Sequence, residues 1–353
     1  EEMDTTSASG DTAEHITSGE AEVYDRQIRL WGIEAQNKLR KSRVLVVGMQ
    51  GLGAEVAKNL VLCGLNAMTI IDPEPITLDD TRSNFFVSQE SIGQSRASAS
   101  RAGVQALNPL VKIEMGEKLD DVDVTSFSLV ILNDQPFAVV MATDEKCRAA
   151  RVPFISSSVF GWIGYAFFDF DGNTFIMKKP EDIPIATIEG EGVPEEAGPA
   201  MTTIMDEEDK YEERPVAYAS FAETFNVELR TKKDVRKAKH LLPRSWHAVK
   251  AMLRPSTQAS LKVATTEKMK SEVVWQQWAA EHKETGQDKE ATEVTTEWAQ
   301  FLIGPQLSAV TAIIGGFVAQ EAIKALTGGK NTLHNTVVHS ALDTTTHVVK
   351  LPF

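Results

Sequence analysis

The sequence predicts an α/β fold built on a doubly wound, mostly parallel sheet, and three observations lead there. Val44–Val47 and Leu129–Leu132 are short, wholly apolar runs, the pattern of strands covered on both faces. Helical segments alternate with such runs through the first half of the chain, and that alternation favours parallel pairing. The first run leads straight into a glycine turn, Gly48, Gly51 and Gly53, that opens a helix, as in nucleotide-binding sheets of the Rossmann-like kind.

Each element follows in order. Residues 1–22 are acidic and polar without hydrophobic periodicity and are expected to form a disordered tail. Residues 24–40 carry Ile28, Leu30, Trp31, Ile33 and Leu39, with Gly32 expected to break them into two short helices. Strand 44–47 is followed by helix 52–64, where Leu52, Val56, Leu60 and Gly64 recur every four residues, and by strand 68–71, ending at Asp72. A turn-rich DPEPITLDD, a polar helix over 93–107 and strands at 111–115, 129–132 and 153–157 come next, with a helix over 137–150 before the last of these. WIGYAFFDF and NTFIMKK, joined by Asp171-Gly172, read as an antiparallel hairpin. Residues 180–215 read as a long acidic loop, EEDKYEER at 207–214 included. Residues 221–300 read as mainly helical, with Trp246, Trp275, Trp278 and Trp298 as packing anchors. An apolar helix over 305–326, closed by Gly328-Gly329, returns the chain to the core, followed by strands near 335–339 and 346–351.

Composition bounds the function. The chain has 353 residues, 42% of them apolar and 24% charged. That suits a soluble globular protein of two domains, or of one large α/β domain with insertions. A net charge of −14 argues against a broad basic surface for nucleic acid. Cys63 and Cys147, far apart, exclude a disulfide framework and CxxC motifs and fit a reducing compartment. No secretory signal is legible in EEMDTTSASGDTAEH. The most apolar stretch, Gln306–Ala319, is shorter than the ~20 residues of a membrane span and runs into Gln320 and Glu321, so it reads as a buried core helix.

The glycine loop has the spacing G-x-x-G-x-G, not the G-x-G-x-x-G of dehydrogenases. Such glycines can bring backbone N–H groups up to a phosphate at a helix start, and Asp72 stands where a ribose hydroxyl would be bonded. A tight turn needed only for helix–strand packing explains the same glycines.

YDRQIRLWG at 24–32, the strand–turn–helix with NLVLCG, SNFF at 83–86, SIGQSRA at 91–97, Asn108-Pro109 and GGFVAQEAIKAL at 315–326 resemble the ubiquitin-like-protein activating enzymes and their ThiF/MoeB-type adenylation fold. The similarity covers about 24–175 and 305–353, and length and architecture are most similar to the SUMO branch. Residues 195–300 are matched least. It implies a tail at 1–22, a pseudo-adenylation domain at 23–180 with 301–353, and an acidic loop and helical insertion at 181–300.

The departures from the family pattern are as informative. Active halves carry G-x-G-G-x-G, whereas Gln50 stands at the second glycine here. Ser83 replaces an arginine of the Asn-Arg-Gln-Phe run, Arg96 a phosphate-binding lysine, and Gln135, beside Asp134, a metal-binding aspartate. The resemblance thus implies a degenerate nucleotide loop (Gly48, Gly51, Gly53, Asp72) and no cofactor or metal bound by this chain. ATP and Mg2+ would sit in the catalytic subunit of a heterodimer. That partner would adenylate a SUMO-like modifier and take it up as a thioester on its own cysteine. Arg26, matching the arginine of the family's DRQ motif, would reach across the dimer to the ATP phosphates. The resemblance also implies residence in the nucleus, with the cytoplasm as a second location, and contact with neither nucleic acid nor membrane.

The remaining residues offer little chemistry. Cys63, in LVLCG, and Cys147, in TDEKCRAA, read as packing residues rather than nucleophiles. His334 and His339, five apart, lack a third ligand nearby. The basic run RTKKDVRKAKHLLPR at 230–244 reads as a solvated helix face, with nuclear import or docking as the alternative. Three other assignments stay open: the regulatory half of a neddylation-type enzyme, a nucleotide-binding oxidoreductase, and a stand-alone sulfur-carrier adenylyltransferase. The absent G-x-G-x-x-G speaks against the second. The absent arginine–lysine–aspartate set and CxxC pairs speak against the third.

Overall fold

The structure, a computed structural model, describes residues 16–178, 211–227, 229, 231–284 and 296–352. Its centre is an eight-stranded sheet of order β10-β9-β6-β5-β4-β1-β2-β3. The strands are β1 (Arg43–Val47), β2 (Ala67–Ile71), β3 (Lys112–Met115), β4 (Leu129–Asn133), β5 (Phe154–Phe160), β6 (Ile163–Asp169), β9 (Thr336–Ser340) and β10 (Thr345–Val349). The first five run parallel, and β6, β9 and β10 extend the sheet antiparallel.

Side-chain alternation along β1 divides the core in two. Val44 and Val46 point into a layer formed with α3 (Ile33–Leu39), α4 (Gly51–Leu62), α6 (Arg96–Leu107) and the long apolar helix α14 (Ser308–Thr327). Leu45 and Val47 point the other way, toward α7 (Phe137–Ala150), α8 (Phe221–Phe225), α10 (Arg244–Leu253), α12 (Glu267–Glu284) and α13 (Thr296–Ile303). Trp246 and Trp278 are fully buried in that second layer, and Trp275 and Trp298 pack at its margin. The helices of the insertion therefore complete the sheet's second face.

The elements expected before β6 are all present, with ends moved by a few residues, and α7 spans the expected 137–150. Gly32, at φ 86°, separates α2 (Asp25–Trp31) from α3. α14 is long and apolar enough to cross a membrane by length and composition, yet it packs Val310, Ile314 and Val318 into the core. Gly328 ends it in the left-handed conformation.

Three expectations need correction. Order begins before Tyr24, because α1 spans Ser18–Val23. Thr17 and Glu20 form a reciprocal capping box, and Glu20 pairs with Arg40 at 2.9 Å. Polar bonds rather than apolar periodicity hold this helix, which is why a hydrophobic pattern does not reveal it. Residues 1–15 of the expected tail lie outside the described residues.

The second correction concerns the expected hairpin, which does not form. All seven residues of β6 are buried, and a strand apolar on both faces belongs inside a sheet, so β6 pairs with β5 and β9. The Asp171-Gly172 turn instead carries the chain into β7 (Thr174–Lys178), which pairs with β8 (Tyr211–Pro215) as a separate ribbon. The third correction follows from the second: residues 211–215 are a strand rather than the end of a loop. Residues 179–210 lie outside the described residues. The basic run contributes α9 (Lys232–Leu241), opened by a Thr231–Asp234 capping box, and α11 (Pro255–Val263) completes the helical layer.

Candidate functional site

The glycine turn lies at the carboxyl ends of β1 and β4, where open α/β sheets bind ligands. Gly48 has φ +90°, and a Cβ there would stand 2.1 Å from the Asn133 carbonyl oxygen. A Cβ on Gly53 would stand 2.1 Å from the carbonyl oxygen of Gly48 itself. Both glycines are therefore required by the turn's own packing, whether or not a phosphate ever approaches it. Gly51, the first residue of α4, faces the buried Ser83 at the end of α5 (Asp80–Ser83), where a Cβ would meet the serine Oγ at 2.5 Å.

The groups that would greet a nucleotide are engaged by the chain. Gln50 stands at the N-cap of α4 without a side-chain capping bond. The Leu52 N–H donates instead to Oε1 of Gln306, 254 residues away, at 3.2 Å. Nε2 of Gln306 donates to Asp134 at 2.9 Å and to the Val159 carbonyl at 3.3 Å. Asp72 accepts from Met49 N at 2.7 Å and Glu74 N at 3.1 Å. Arg96 pairs with Asp80 at 3.0 Å and with Asp72 at 3.5 Å. Gln135 donates to the Asn133 carbonyl at 2.9 Å, and Asn84 to the Met49 carbonyl at 2.8 Å.

Burial raises the pKa of Asp72 against these hydrogen bonds and the Arg96 charge. Burial also pushes Asp134 up to about 6, although Gln306 and Val159 N lower it. The cleft over this loop has a volume of about 470 Å³. Three carboxylates, Asp79, Asp80 and Asp134, line it against two cations, Arg96 and Lys270, a balance unfavourable to a polyphosphate. The polar groups around the loop are thus bonded largely to one another. Gly48, Gly51, Gly53, Asp72, Gln50, Ser83, Arg96, Asp134 and Gln135 all converge here, as the sequence suggests. Gln306 was missed, because nothing in FLIGPQLS ties that residue to a turn so distant in the chain.

Arg26 lies elsewhere, exposed on α2, and no hydrogen bond or ion pair is found for it among the described residues. Arg29 is tied back to Asp25 at 3.1 Å. Arg26 and Leu30, four apart, share one stripe of the helix. Leu30 is 78% exposed and borders a groove of about 1080 Å³ with Trp31, Ala35, Leu62, Cys63 and Ile323.

Burial pushes the Cys63 and Cys147 thiols up to about 12, away from the thiolate that a nucleophile needs. His334 packs at a tilt of 47° against Tyr218 with centroids 4.5 Å apart, and His339 Nδ1 bonds Thr346 Oγ1 at 2.8 Å. The two histidines thus serve separate contacts.

Known proteins are similar to this chain in sequence and fold. The ThiF family matches residues 24–352. The SUMO-activating enzyme subunit aos-1 of Caenorhabditis elegans is 34% identical over 349 residues, covering 96% of this chain and 99% of that protein. SUMO-activating enzyme subunit 1 of Homo sapiens is 30% identical over 319 residues, covering 88% and 89%. In fold, the chain is similar to the crystal structure of E. coli MccB with succinimide, with a TM-score of 0.51 at 12% identity, covering 94% of this chain and 72% of that one. The chain belongs to the ThiF family and is a relative of SUMO-activating enzyme subunit 1 over almost its full length.

Proposed function

We propose that this chain is the regulatory subunit of a heterodimeric SUMO-activating enzyme, without adenylation activity of its own. The observation that carries the reading is the self-engaged glycine loop. Gln306 holds the helix N–H, and Asp72 and Arg96 satisfy each other and their neighbours. The names of the full-length relatives, each a subunit, support a partner and a SUMO modifier. In the partner, a modifier carboxylate oxygen would attack the α-phosphorus of ATP, breaking the bond to the β-phosphate oxygen and releasing pyrophosphate. The modifier would then pass to a cysteine of the partner as a thioester, with AMP leaving. ATP and Mg2+ belong to the partner, and nuclear residence belongs to the same proposal.

Arg26 is this chain's contribution to that chemistry. Negative charge moves toward the departing pyrophosphate, and a permanently charged, planar guanidinium can bond two phosphate oxygens at once. Arg29 is occupied by Asp25, which leaves Arg26 as the cation of α2 able to reach outward. Modifier-dependent ATP–pyrophosphate exchange by the chain alone, the partner alone and the pair tests the reading. The pair is expected to be active and this chain alone inactive. Arg26→Ala should slow the assembled pair on the order of 10- to 1000-fold, less than a lone arginine finger gives, because the partner keeps its own basic residues. Arg26→Lys should recover only part of that loss. Wild-type exchange from a fully assembled Arg26→Ala pair would make this arginine a surface charge, and exchange by the chain alone would end the regulatory assignment.

A further inference from the structure

Two sequence features that the site leaves unused, the tyrosine opening YDRQIRLWG and the asparagine of Asn108-Pro109, meet in space. Tyr24 is 2% exposed, although α2 beside it buries none of its own side chains. Its backbone ends α1 and begins α2: Tyr24 N donates to Glu20 O, and Tyr24 O accepts from Ile28 N, each at 2.9 Å. Its ring lies over Gly64, at φ +82°, where a Cβ would come within 2.5 Å of the ring. Its hydroxyl accepts from Nδ2 of Asn108 at 2.9 Å. The same amide donates to the Val61 carbonyl at 2.9 Å, and Asn108 Oδ1 accepts from Leu110 N at 3.1 Å.

The far end of α2 is held in the same loop. Trp31 Nε1 donates to Gln36 Oε1 at 3.0 Å, and Gln36 Nε2 donates to the Cys63 carbonyl at 2.9 Å. A seven-residue helix with no buried side chain has little stability or fixed direction of its own. Apart from a long bond of Gln27 Nε2 to the Leu62 carbonyl at 3.4 Å, its direction comes from its ends, and Arg26 is two residues from the Tyr24 end.

We infer that Tyr24, held by Asn108, is a positioning residue for Arg26, fixing the start of α2 and so the direction in which the guanidinium leaves the subunit. The inference rests on the reading of Arg26 given above. An aimed charge and a misaimed one differ in rate far more than in binding, since displacement by about 1 Å can cost up to about 100-fold.

The test is a double-mutant cycle in the reconstituted pair, with SUMO saturating and ATP varied, read by pyrophosphate exchange beside thermal melts. Tyr24→Phe keeps the ring over Gly64 and removes only the hydroxyl. It is expected to lower kcat about 3- to 30-fold, with KM for ATP changed by no more than about twofold. The Arg26→Ala/Tyr24→Phe variant should exchange within about twofold of Arg26→Ala, because the hydroxyl acts through a guanidinium already removed. The melting temperature should fall with Tyr24→Phe in both backgrounds. Rate losses that multiply in the double variant, or wild-type kcat in folded Tyr24→Phe, overturn the inference. The Arg26→Ala arm separates the two failures. Wild-type exchange there removes the reading of Arg26 and this inference with it. Slowed exchange with multiplying losses removes the positioning role alone.

Discussion

Asp144, on α7, is a buried carboxyl group beside a second one, Asp169. Its Oδ2 accepts from Phe221 N at 2.8 Å, and no donor reaches its Oδ1 among the described residues. Asp169 lies close by and is itself bonded by Arg148 and by Asp171 N. Burial, and then the Asp169 charge, push the Asp144 pKa up to about 8. An unfolded aspartate titrates at about 3.9. Between about pH 4 and 8 the folded chain therefore keeps a proton that the unfolded chain has lost, and this site's contribution to stability falls as pH rises. Asp144→Asn keeps an acceptor for Phe221 N and supplies an N–H toward Asp169. The expected result is that the melting temperature of this variant gains on wild type steadily from pH 5 to 8, then runs parallel to it. A gap independent of pH would mean that the two carboxyl groups share no proton.

At the scale of elements, Gln306 clasps the start of α4, the end of β4 and the end of β5 from the turn before α14. It caps a helix whose own N-cap residue does not, and it gives the half-buried Asp134 a donor. Gln306→Ala should cost about 1–3 kcal/mol, the range for a lost cap and an acceptor left with one donor fewer. Gln306→Glu would set a second carboxylate against Asp134, whose pKa is already raised to about 6. Its melting temperature should fall further below wild type at pH 8 than at pH 5, because both groups carry charge there. Equal stability at pH 8 would contradict the clasp. The glycine turn was legible as a turn, since G-x-x-G-x-G after an apolar strand allows little else. Its use was not legible, because the residue that engages the helix start comes from the other end of the chain.

At the scale of the molecule, Leu30 (78% exposed) and Leu62 (42%) border one groove beside the stripe that carries Arg26. Apolar side chains gathered at the surface mark an interaction face. On the heterodimer reading this face meets the partner. Leu30→Asp should leave the chain's own stability within about 0.5 kcal/mol, since the side chain is nearly free, and should weaken assembly of the pair by tenfold or more on the order of an interface anchor's loss. Titration of labelled partner would measure it, and unchanged affinity would move the interface elsewhere.

The sequence by itself determined the parallel sheet, the glycine turn and the apolar return helix, because each depends on periodicity or spacing within a short window, whereas the departures around the loop stand out only against the family pattern that the chain resembles. Even the role of Trp246 and Trp278 as anchors was visible, since large aromatics in a helical stretch need a core. Only the tertiary structure decided where β6 belongs, because an apolar strand can pair with the run before it or the run after it, and its neighbours in space decide which. It alone showed α1, held by a capping box and the Glu20–Arg40 pair. It alone showed the contacts of Gln306 with α4 and of Asn108 with Tyr24. Those contacts span 254 and 84 residues, and hydrogen bonds of such separation leave no trace in local sequence because folding, not spacing, brings their partners together.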